Sequence, residues 1–140
     1  MTRAAAGDTA LEAAWNAFPA PARACLEKLR TLIHVTAAKT PAAGPLTETL
    51  KWGEPAFLTE ATKSGTTIRL AWKPALPNMA QLLVPCSTPL IEEWRARYGD
   101  TLAFSGNRAV LIDIARPIPK APLAHCIAMA LTYHSRKSAP

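Results

Sequence analysis

The 140-residue chain is short of the patterns from which most recognisable active sites are built. Its six glycines form neither GxGxxG nor GxxxxGK, so no backbone cradle for a nucleotide phosphate is visible. A Gly-x-Ser-x-Gly elbow is also missing, which removes the usual signature of a serine hydrolase. The three cysteines, Cys25, Cys86 and Cys126, are far apart, odd in number and in no CxxC pair. That spacing excludes a disulfide framework and a zinc ribbon, and reduced, buried thiols are expected. The best nucleophile by position is Cys86, between a strand end and a helix start, but no histidine stands near it in sequence. His34, His125 and His134 never fall three or four residues apart, the helical spacing that aims two imidazoles at one metal. His125 and Cys126 are adjacent and diverge by about 100° on a helix. Glu92 and Glu93 are likewise neighbours, not facing partners. No catalytic residue, metal ligand or cofactor is assigned.

Long apolar runs are missing too. The longest uncharged stretch, 74–91, carries prolines at 74, 77, 85 and 89, which would break a membrane helix repeatedly. Residues 1–6 hold one arginine and no apolar core ahead of Asp8 and Glu12, so a secretory signal is not expected and a cytoplasmic location is. Sixteen Lys and Arg against ten Asp and Glu give a net charge of +6, but the charge is scattered. Its densest groups, Arg95 with Arg97 and Arg136 with Lys137, are not runs of like charge. They predict a solvated surface and weak, nonspecific attraction to nucleic acid.

What is present is an ordinary globular balance, 49% hydrophobic and 19% charged. A single domain over 1–140, frayed at about 1–7 and 136–140, can bury roughly two thirds of its unfolded surface. Asp8 caps a first helix carrying Leu11, Ala14, Trp15 and Phe18, and Pro19 ends it. Pro21 opens a second, with Leu26, Leu29, Ile33 and Ala37 on one face. A loop over 40–46 leads to a helical turn over 47–51 and a strand from Pro55. Residues 66–73 alternate, with Ile68, Leu70 and Trp72 inward and Thr67, Arg69, Ala71 and Lys73 outward. Met79 to Val84 reads as a central strand. Thr88 as cap and Pro89 as first residue announce a helix with Ile91, Trp94 and Tyr98, closed by a left-handed Gly99. Gly106-Asn107 predicts a tight hairpin. A last helix from Pro122 presents Leu123, Ile127, Ala130, Leu131 and His134. The expected fold is α+β, about five antiparallel strands with helices on one face.

The most particular stretch is Leu50-Lys51-Trp52-Gly53-Glu54-Pro55-Ala56-Phe57. Gly53 permits a turn, and Pro55 sends the chain out extended. Trp52 and Phe57 are expected to lean on one core, leaving Lys51 and Glu54 to meet each other or a ligand. This motif, with the order of elements and the later Ile112-Asp113 strand, resembles the YdhG-like family of small bacterial domains of unknown function. The resemblance implies no enzymatic activity. One branch of that family looks like frataxin and is described as an intracellular iron chaperone, which implies iron binding by carboxylates. Here Asp8, Glu12 and Glu27 are interleaved with Arg23, Lys28 and Arg30.

The candidate ligand-binding residues are Lys51, Trp52, Glu54 and Arg69. The turn holds two opposite charges beside an indole. The outward residues around Arg69 leave small side chains between cations, a shallow concavity suited to a small anionic ligand. A protein partner or a second copy of the chain are the other occupants considered. The function expected is a binding or chaperone-like module. The alternatives are a frataxin-like iron carrier and an enzyme whose site is assembled out of sight of the sequence.

Overall fold

A computed structural model describes residues 6–138, and the side chains of 9–136. The first helix does not start at a cap on Asp8 but already at Ala6, so Asp8 lies inside it; residues 1–5 and 139–140 of the expected frayed ends are outside the described set. Helices α1 (Ala6–Ala17) and α2 (Ala20–Ala38) come first, then a short 3-10 turn at Pro41–Ala43. Strands β1 (Thr47–Lys51), β2 (Glu54–Leu58), β3 (Ile68–Trp72) and β4 (Met79–Leu83) precede α3 (Leu90–Tyr98). The hairpin β5 (Ala103–Ser105) and β6 (Ala109–Asp113) follows, then α4 (Lys120–Leu131) and α5 (Tyr133–Ser138). The fold is α+β: six antiparallel strands form one open sheet in the order β1-β2-β3-β4-β6-β5. Among the described residues no helix is long and apolar enough to cross a membrane.

Alternation along each strand divides the sheet. Phe57, Ile68, Leu70, Leu82, Val110 and Ile112 point into the main core, where they meet Leu26, Leu29 and Ile33 of α2, Trp94 of α3 and Leu123 and Ile127 of α4. A second, smaller cluster of Ala71, Leu83 and Ala109, flanked by Leu111, consists of strand residues on the opposite face. Burying each large side chain of the main core contributes about 1.5–3 kcal/mol, so this face decides stability. Trp72 has the inward parity expected but is half-buried at the strand end, where its Nε1 donates to Pro77 O at 3.0 Å.

Local reading failed where pairing overrode it. Residues 47–51 are not a helical turn but the edge strand β1, whose partner β2 is joined to it by two residues. Five residues with two β-branched threonines carry little helical preference against five cross-strand pairs. Pro89 precedes α3 rather than opening it, and Thr88 Oγ1 donates to Pro85 O at 2.9 Å instead of capping the helix. Gly99 is right-handed at φ −59°, not left-handed; a Cβ there would lie 2.6 Å from Arg95 O, so it serves close approach. The second hairpin spans three residues, with Ser105 opposite Ala109 and Gly106 at φ +59°. His134 falls in α5 and is exposed rather than on the buried stripe of α4.

Candidate functional site

The β1–β2 turn is set by its backbone. Lys51 pairs with Glu54, so Trp52 and Gly53 are the whole loop. Both have positive φ, +57° and +76°, the primed geometry that matches strand twist in a two-residue hairpin. Gly53 meets that requirement freely, whereas Trp52 carries a bulky side chain in a region L-residues avoid. The expectation that Trp52 shares a core with Phe57 is overturned: Phe57 is fully buried, and Trp52 is 88% exposed. The turn carries the indole beyond the last cross-strand pair, where no layer covers it.

Glu54 and Arg69 are paired, not free. The register that sets Ala56 opposite Arg69 leaves Glu54 diagonal to it on the same face. Arg69 Nη1 donates to Glu54 Oε1 at 2.6 Å, and Lys73 Nζ donates to Oε2 at 2.7 Å. Glu54 and Arg69 side chains keep 12% and 18% of their exposure, so water screens this pair poorly; Lys73, at 53%, is well solvated. Lys51 was expected to meet Glu54 or a ligand. Glu54 is taken by Arg69 of β3 and by Lys73 just after it, and among the described residues Lys51 has no carboxylate within ion-pair distance.

A hollow of about 300 Å³ opens on this face, lined by Lys51, Trp52, Thr67, Arg69, Val84, Pro85, Cys86, Ser87 and Arg108. Three cations come from β1, β3 and the residue before β6, and no Asp or Glu lines it. Thr67 and Ser87 add hydroxyls that donate or accept. Arg108 is brought in because Val84 N donates to its carbonyl at 2.8 Å, extending the β4–β6 ladder. Its Nη2 stands 3.7 Å from Cys86 Sγ. Cys86 is exposed, against the expectation of buried thiols, because it leaves β4 just past Pro85; Cys25 and Cys126 are buried. Burial raises both of those thiol pKa values, that of Cys126 to about 12. No histidine lines the hollow, and no three His, Cys, Asp or Glu among the described residues are grouped to hold a metal ion.

The sequence reading missed a second polar centre, at Glu48 on the helix-covered side of β1. Its carboxylate accepts from Trp15 Nε1 at 2.9 Å and Arg30 Nε at 3.0 Å, and lies 3.1 Å from His34 Nε2. Arg30 also stacks over the Trp15 ring, 4.6 Å from its centroid. A hollow of about 490 Å³ borders this cluster, but Glu48 is fully engaged in tying both N-terminal helices to the edge strand. Reading 47–51 as a strand, with Glu48 and Leu50 on one parity, was the signal that would have found it.

Of the four sequence candidates, Lys51, Trp52 and Arg69 thus line one hollow, while Glu54 stands behind it as the partner of Arg69. Arg108, Cys86, Thr67 and Ser87 complete the lining. The chain matches no protein-family model, no curated protein and no solved structure.

Proposed function

We propose that this domain is a binding module that captures a small anion in the hollow formed by Lys51, Arg69 and Arg108. The observation that carries the reading is that three cationic residues, on β1, on β3 and just before β6, line one concavity without one acidic residue among them. Concave sites with a few convergent polar groups are the default places for ligands. Two arginines suit a phosphate or carboxylate, since a guanidinium offers a planar fork of donors. Arg69 is held by Glu54 and arrives pre-oriented, whereas Lys51 and Arg108 have no carboxylate partner among the described residues and keep their charge for the ligand.

The probe is inorganic phosphate, titrated by calorimetry at low ionic strength. Saturable binding that weakens with added salt and is lost in the Lys51→Ala, Arg108→Ala double variant is the expected result. Occupancy should also slow alkylation of Cys86, which shares the lining. Phosphate binding that ignores the double substitution, or no binding at millimolar phosphate, would sink the reading.

A further inference from the structure

We infer that the anion taken by this hollow carries a planar ring, and that the ring stacks on Trp52; the inference rests on the anion-binding reading above. Trp52 carries two costs that packing within the chain does not return. It occupies φ +57° in a primed turn, where Asn, Asp or Gly fit without strain. It also leaves its indole 88% exposed, the largest exposure of any large hydrophobic side chain described. A residue that is strained and unburied at once is better explained by something outside the chain.

Its placement says what that is. Trp52 lines the cationic hollow beside Lys51, and the same residue borders a second cleft of about 310 Å³ with Phe18, Glu54, Trp72 and Lys73. A ligand held by its anion between Lys51, Arg69 and Arg108 therefore meets the indole at the rim. The ring lies outside the 300 Å³ hollow, so that volume has to fit only the anionic group. Stacking tolerates many ring types because every base has a π face, and cationic grooves edged by an aromatic platform are how such rings are held next to phosphates. The shared chemistry, a ring joined to a phosphate, has two sources: a free nucleoside monophosphate or the terminal nucleotide of a single strand.

The full chain is titrated calorimetrically with inorganic phosphate, ribose 5-phosphate, adenosine 5′-monophosphate and a single-stranded adenylate hexamer. The monophosphate should bind about tenfold tighter than ribose 5-phosphate. Trp52→Asn should erase that gap by weakening the monophosphate about tenfold more than ribose 5-phosphate, and should keep or raise the melting temperature. Equal affinities for the two in the wild type, or a gap that survives Trp52→Asn, overturns the inference while leaving the anion reading intact. Failure of every phosphate probe overturns both. A hexamer that exceeds the monophosphate by a margin lost in Trp52→Asn assigns the ring to a strand; a hexamer no tighter than the monophosphate assigns it to the free nucleotide. A hexamer preference indifferent to Trp52→Asn is the bulk charge attraction expected of a +6 chain, and with the monophosphate gap present in the wild type and lost in the variant it assigns the ring to the free nucleotide.

Discussion

Arg69 donates to Glu54 across the β2–β3 pair at 2.6 Å, so one residue is both a wall of the cationic hollow and half of a poorly hydrated ion pair. The sequence alone places Arg69 on a solvated face, where a substitution would change stability by no more than about 0.5 kcal/mol. The pair changes that expectation. Arg69→Ala removes a charge-assisted hydrogen bond from a carboxylate largely out of water and should cost roughly 1–2 kcal/mol in urea unfolding. Lys73→Ala removes the solvated arm of the same carboxylate and should cost less than about 0.5 kcal/mol. Equal effects of the two would mean the Arg69 arm is as solvated as the Lys73 arm.

Glu48 makes a different prediction, because it serves no candidate ligand. Glu48→Ala strips Trp15 Nε1 and Arg30 Nε of their acceptor and should destabilise the fold by about 2 kcal/mol. Phosphate affinity at the opposite face should stay as in the wild type. Calorimetric titration beside a denaturant melt separates the two outcomes, and a large loss of affinity would show that the two faces are coupled.

The cysteines predict a pH dependence with a definite sign. Burial raises the folded-state pKa of Cys126 from 9.0 to about 12 and moves Cys25 in the same direction. Unfolded thiols therefore ionise first, so these groups favour the folded state below pH 9 and lose that contribution as pH rises toward the folded values. Replacing both with alanine should flatten the alkaline limb of a stability-against-pH curve relative to the wild type. In the native protein at pH 8 a bulky thiol reagent should modify one cysteine, Cys86, and reach the other two after denaturation. Fast modification of Cys126 in the native state would contradict its burial.

Composition and periodicity by themselves determined the class of this protein. The stripe of Leu26, Leu29 and Ile33, the alternation of Ile68 and Leu70 against Arg69 and Ala71, and the glycine before Asn107 each state a local geometry strongly enough to survive folding. That is why α+β with an antiparallel sheet was legible, as was a convergence of Lys51, Trp52 and Arg69. What only the tertiary structure decided depends on partners distant in sequence. Residues 47–51 became a strand because 54–58 lay beside them, and Glu48 then turned toward α1 and α2. Trp52 was exposed because hydrophobicity indicates which residues gain from burial, while the two-residue turn leaves its side chain no neighbour to be buried against. Arg108 joined Lys51 and Arg69 through strand order, since β6 pairs with β4 and β4 with β3. No spacing along the chain encodes that adjacency; it arises from the order in which the strands assemble, which is a property of the whole fold.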